Sequence, residues 1–315
     1  MSTVFLFSGQ GSHYFHMGRE LFEQNDTFRG WMLRLDDIAR QAAGSSVVET
    51  LYSSARGKAE PFDRTIMTNP AILMVEYSLA QALMDEGVWP DQVLGASMGT
   101  FAAAAVAGWI DIDDALRAVI RQAQALEESC PAGGMIAVLA DPALFAQDFL
   151  SARGELAGVN FSSHFVVTAK RPELAEVEAE LRTRGIGHQK LPVSFAFHSR
   201  WIDEAKAPFV SFMRSVPRKR GRLPLVCCDR VGVVDELTDE YLWDVVRRPI
   251  RFREAIARIE QQGPHRYIDA GPAGTLATFL KYSLPKSTAS TVHAILTPYG
   301  LDRKNLAAVS AAVAH

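Results

Sequence analysis

The stretch Val93-Leu94-Gly95-Ala96-Ser97-Met98-Gly99-Thr100-Phe101 constrains this chain more than any other. A β-prone run ends in Gly-x-Ser-x-Gly, and an Ala-rich helical segment starts at once. A turn that tight leaves no room for large side chains at Gly95 and Gly99. It lifts the Ser97 hydroxyl to the end of a sheet and aims the first N–H groups of the new helix at whatever the hydroxyl attacks. The spacing points to a nucleophile elbow and an acyl-serine. Three fixed positions in five also occur in plain strand–turn–helix packing, so the elbow needs partners elsewhere in the chain.

The flanking patterns predict an α/β protein. Val4–Phe7 reads as a buried first strand, not a signal peptide, because no basic residues precede it. It runs into the Gly-punctuated loop Ser8-Gly9-Gln10-Gly11-Ser12. Helical patterns cover about 19–55, 70–86, 98–107 and 113–128, with a strand at Trp89–Leu94 before the elbow. From about Gly134 the rhythm changes to strand (135–140), helix (142–152), two strands around Ser162-Ser163 (156–169), helix (174–184) and strand (188–193). That β-α-β-β-α-β order predicts a ferredoxin-like subdomain at 131–196, inserted in a large domain of residues 1–130 and 197–315 built on a parallel sheet. Helix (201–215), strand (223–228), helix (251–261) and a β-run at 266–270 follow. The tail after Pro285 is weakly patterned.

Bulk numbers exclude several classes. The net charge of −3 gives no global attraction to nucleic acid. The longest apolar run, Phe101 to Ile110, is too short to span a bilayer. Three cysteines, Cys130, Cys227 and Cys228, fit neither a disulfide framework nor a CxxC metal site. A monomeric cytoplasmic enzyme without a membrane or nucleic-acid partner is expected.

An acyl-serine needs a base within hydrogen-bond reach. Of the eight histidines, His198 stands out, because Phe195-Ala196-Phe197-His198-Ser199 re-enters the large domain just after the last strand of the insert. The alternative is a histidine packed among aromatics at a domain boundary. His13 and His16 lie in or after the Gly-rich loop, His188 and His265 flank strands, His164 lies in a turn, and His293 and His315 lie in the tail. The oxyanion needs N–H donors. The Met98 amide opens the helix, and the Gln10 amide can reach the same point from the loop after the first strand, unless that loop is a plain tight turn.

Six ordered segments then carry a resemblance over nearly the whole chain. They are Phe7–Ser12 with Met17-Gly18, Gly95–Gly99, Gly133–Val138, Phe195–Ser199, Arg248–Phe252 and Asp269–Pro272. Together they resemble the malonyl-CoA:acyl-carrier-protein transacylases and the acyltransferase domains of polyketide synthases. The resemblance implies a large α/β hydrolase-like core with a ferredoxin-like insert and a Ser97–His198 dyad. It implies oxyanion donors at Gln10 and Met98, and a backbone carbonyl near Arg248 that orients the histidine. It also implies an acyl thioester substrate on an acyl carrier protein. Phosphopantetheine comes with that substrate, and no metal or bound cofactor is implied.

The departures bear on the acyl group. The family's usual His before the nucleophile is Ala96 here, its Glu after the second elbow glycine is Thr100, and its Gln before Pro-Ala is Asn69. Counted without gaps from Ser97, the family's carboxylate-binding Arg falls on Gln122, with Arg121 about 100° around the helix. A guanidinium grips a malonyl carboxylate bidentately, whereas an amide brings no charge. Gln122, Ala96, Asn69 and Phe197 are therefore the expected acyl-binding residues, and neutral acyl groups the expected cargo. A Gln at this position is similar to the acyl hydrolases that work beside trans-acyltransferase polyketide synthases, which predicts release of stalled acyl groups to water. Transfer to a second carrier thiol, a non-catalytic docking protein and a lipase-like esterase are the alternatives. Basic clusters at 218–222 and at Arg247, Arg248, Arg251 and Arg253 suit an acidic carrier, although a solvated loop and a charged helix face account for any one cluster alone.

Overall fold

The structure, a computed structural model, describes residues 1–313, so His315 lies outside the described residues. The strands in chain order are β1 (Ser2–Phe7), β2 (Gln92–Gly95), β3 (Gly133–Val138), β4 (Glu155–Phe161), β5 (His164–Lys170), β6 (His188–Lys190), β7 (Leu225–Cys227), β8 (Gly232–Val233), β9 (His265–Asp269) and β10 (Thr291–Ala294). The larger sheet has the order β10-β9-β1-β2-β7-β8. Its pairings are parallel except the last, where β8 turns back along β7.

Strands covered on both faces read as continuous apolar runs, and β1 is one. Phe5 and Phe7 join the core on one side with Val93, while Val4 and Leu6 join the opposite core with Leu94. Helices Asp26–Ala43, Thr65–Asp85 and Ile112–Ser129 close the first side; Phe252–Glu260 and Thr275–Ser283 close the second. In a parallel sheet all loops after the strands leave at one edge. The loop after β1, the turn after β2 and Gly271-Pro272 after β9 therefore meet.

The second sheet has the order β4-β5-β3-β6 and is antiparallel throughout. Leu174, Val177 and Leu181 of helix Arg171–Thr183 pack on Ile136, Val138, Phe165 and Val167. The sheets are stitched together at Ile250. Its N–H donates to the Ala157 carbonyl at 2.8 Å, and its carbonyl accepts from the Val159 N–H at 3.0 Å.

Several expected elements differ. The helix expected from Pro70 starts at Thr65 and carries Pro70 inside it. Burial of almost every residue in that helix outweighs the backbone bond Pro70 removes. Trp89 is 65% exposed and lies outside β2, because Pro90 interrupts the strand pattern. The helix expected at 142–152 is a 3₁₀ turn, Pro142–Ala146, and a short helix, Asp148–Ser151, separated by extended Gln147. The tail read as weakly patterned holds edge strand β10 and helix Asp302–Val313. A four-residue edge strand gets its identity from pairing with β9, which no local pattern shows.

Candidate active site

Ser97 follows β2 directly and has φ 55°, a left-handed conformation uncommon outside glycine. The flanking glycines permit it. A Cβ at Gly95 would run into the Thr100 backbone, and one at Gly99 into the backbone of Phe7 and Ser8. Neither neighbour is a flexible side chain that can yield. Gly99→Ala is therefore expected to cost at least about 3 kcal/mol, read as a lower denaturation midpoint; an unchanged midpoint would contradict this packing.

His198 is brought to Ser97 from 101 positions along the chain, with Oγ to Nε2 at 2.8 Å. Its Nδ1–H donates to the Arg248 carbonyl at 2.6 Å. A carbonyl only accepts, so this bond fixes the tautomer and leaves Nε2 as acceptor for the serine hydroxyl. Its own amide donates to the Val246 carbonyl at 2.9 Å, which pins the backbone. Burial pushes the imidazole down to about 4, against the Arg248 hydrogen bond, so the ring is neutral at physiological pH.

The loop after β1 lies against the elbow. A Cβ at Gly9 would sit 3.0 Å from Ser97 Cβ and 3.3 Å from the Met98 nitrogen. Among the described residues, no protein acceptor takes the N–H of Gln10 or of Met98, which leaves both amides for an outside acceptor. The loop is held from below by buried Glu76, whose Oε1 accepts from the Ser8 amide at 2.7 Å and the Ser8 hydroxyl at 3.0 Å. Burial raises the Glu76 carboxyl well above its ordinary value. The Gln10 side chain donates to Thr68 Oγ1 at 2.9 Å and to Asn69 Oδ1.

A cavity of about 290 Å³ opens beside this group. Ser97, His198, Gln10, Ala96 and Phe197 line it. Asn69 does not; it holds Gln10 from behind. Gln122 is fully buried on helix Ile112–Ser129 but outside the cavity lining, and its Oε1 and Nε2 have no partner among the described residues. Arg121 points away and pairs with Glu128 at 3.6 Å.

Several wall residues escaped the sequence reading, among them Asn160, His164 and Phe279. His164, read as an ordinary turn residue, opens β5 instead, and its ring lies 5.0 Å from Phe161 and 5.1 Å from Phe279. Its Nδ1 faces the Asn160 amide at 3.1 Å. Burial lowers its pKa, so this wall also is neutral. The available signal was the hairpin: Asn160 and His164 flank its Ser162-Ser163 turn. Four of the eight basic residues in these clusters are paired, Arg218 with Asp239, Arg247 with Asp203, Arg248 with Asp244 and Arg251 with Glu254.

This geometry has known counterparts. The family described as "Acyl transferase domain" matches residues 4–313. The polyketide biosynthesis acyltransferase homolog BaeD of Bacillus velezensis is 43% identical over 304 residues, covering 96% of this chain and 94% of that protein. PksD of Bacillus subtilis, described in the same words, is 41% identical with the same coverage. Among solved structures, a loading acyltransferase from the avermectin modular polyketide synthase superposes with a TM-score of 0.90 at 27% identity, over 100% of both chains. With a match across nearly its whole length, this chain belongs to the acyl transferase domain family.

Proposed function

We propose that this protein is an acyl hydrolase that strips acyl groups from acyl carrier proteins through an acyl-Ser97 intermediate, as a proofreading activity in trans-acyltransferase polyketide biosynthesis. The observation that carries this reading is the cavity wall. Among the described residues, no Lys, Arg, Asp or Glu lines it. A malonyl carboxylate entering it would lose water without gaining a cation, at a cost of about 3–5 kcal/mol. Neutral acyl groups enter without that penalty.

In the proposed cycle the Ser97 oxygen attacks the thioester carbonyl carbon while His198 Nε2 takes the hydroxyl proton. The oxyanion forms against the Gln10 and Met98 amides. The carbon–sulfur bond then breaks, and the phosphopantetheine thiol leaves with the imidazolium proton. Water next attacks the ester, giving its proton to His198. The acyl–oxygen bond breaks, Ser97 recovers a proton, and free acid departs. Transfer to a second carrier thiol shares the first half and differs only in the second nucleophile.

The fold reading belongs here too. The strand order β4-β5-β3-β6 with its helices on one face supports a ferredoxin-like unit at 131–196. The rest, 1–130 and 197 onward, supports a hydrolase-like core around the elbow. The proposed setting is cytoplasmic and the proposed partner an acyl carrier protein.

Intact-mass analysis of acetyl-, butyryl- and malonyl-carrier proteins incubated with the enzyme tests the reading. Acetyl and butyryl acids should be released and emptied carrier should accumulate without a second acceptor, with malonyl-carrier persisting. Stable acyl-enzyme that empties only on adding a second carrier would establish transfer instead.

A further inference from the structure

The cycle proposed above makes a cation twice, each time His198 takes a proton, and it does so in a buried site. Burial alone works against that cation. The Arg248 carbonyl offers only a dipole, and the Arg247 guanidinium, itself on Asp203, adds an opposing charge. One carboxylate lies beneath the elbow.

Asp229 stands two residues past the end of β7, with its side chain 2% exposed. Its Oδ1 accepts from the Cys227 thiol. Its Oδ2 has no hydrogen-bond partner among the described residues, and the Arg230 Nε is 3.9 Å away. A small enclosed space joins Asp229 to Gly95, Ser97, Thr100, Val245 and Pro249. The Thr100 hydroxyl there is also without a partner. A carboxylate serving only the Cys227 thiol would use one oxygen; the second faces the half-exposed Arg230 guanidinium and borders the enclosed space shared with the nucleophile.

We infer that Asp229 acts through His198 as the fixed counter-charge of its imidazolium, completing electrostatically what the Arg248 carbonyl begins. This rests on the dyad reading. The other charges around the pair are already committed. Arg247 is held by Asp203, Arg248 and Arg230 share Asp244, and Arg251 is held by Glu254. Asp229 is thus a positioning residue: it touches no reacting atom and sets how readily the neighbouring ring accepts a proton. The enclosed space brings Asp229 to Ser97, which is hydrogen-bonded to His198 at 2.8 Å; a negative charge there would raise the proton affinity of the ring, and in buried surroundings it is weakly screened.

The test is an NMR titration of the His198 ring in the free protein, paired with the rate of acyl-Ser97 formation. Asp229→Asn keeps shape and the thiol's acceptor but removes the charge. His198 should titrate at lower pH than in wild type, and acylation at neutral pH should slow about ten-fold, the equivalent of one pKa unit. Asp229→Glu should recover both in part. Cys227→Ala, which removes the thiol and keeps the charge, should leave the His198 titration in place. His13, also buried and lowered to about 4, is the folding control and should not move. An unmoved His198 in Asp229→Asn, or an equal shift in Cys227→Ala, would overturn the inference. Absence of any acyl-Ser97 in wild type would instead overturn the dyad reading, while the titration would still report on Asp229.

Discussion

Ser97→Ala is expected to remove detectable acyl-enzyme and to lower thioester turnover by about three orders of magnitude or more, since members of a nucleophile–base pair act as a unit. His198→Ala should cost nearly as much, and the double variant little beyond either. The elbow itself should survive. Alanine keeps the serine's Cβ and meets the same φ of 55°, so the melting temperature should stay close to wild type. Ser97→Gly relieves that left-handed strain, worth about 1–2 kcal/mol, against the entropy glycine loses on folding. It should be at least as stable and equally inactive. Intact mass after exposure to acetyl-carrier reads the first claim. Acyl transfer persisting in Ser97→Ala would remove the chemical basis of the proposed function.

Gln122→Arg should reverse the cargo preference. An isolated buried charge is costly until it is paired. The variant should lose stability when empty and recover it once a malonyl ester forms on Ser97. The ratio of malonyl to acetyl loading should rise by about two orders of magnitude, taking roughly 3 kcal/mol for the restored pair. Thermal melting with and without malonyl thioester, together with loading measured by mass, checks both parts. Gln122 lies outside the cavity lining, but its amide atoms are buried and unpartnered, and a guanidinium reaches further. If malonyl loading stays unchanged, this helix face does not meet the acyl group, and the uncharged cavity wall alone sets the preference.

What could be read in advance divides along physical lines. The elbow was legible because its constraint is local: glycine, serine and glycine within five residues dictate one backbone path, and the structure supplies the steric reason at Thr100 and at Phe7. The β1 loop was legible for the same reason. His198 came from its place after the insert, and its partner carbonyl from the family resemblance at Arg248-Pro249. Asn160, His164 and Phe279 were not legible. They converge only when hairpin β4–β5 lies against helix Thr275–Ser283, which no local pattern announces. Counting along a helix put Gln122 on Ile112–Ser129 but said nothing about which way its amide would face, and it lies outside the cavity lining. Asn69, expected to bind the acyl group, lies outside the cavity lining and accepts a hydrogen bond from the Gln10 side chain.

The Ile250 stitch has a mechanical consequence. The carbonyl that steers the imidazole belongs to Arg248, and two residues later the same strand of chain is clamped to β4 of the smaller sheet through both of its amide groups. That sheet is thus one arm of a lever whose short end carries the base. A load on its outer surface would therefore be passed to the Arg248 carbonyl and, through it, to the orientation of the ring relative to the hydroxyl.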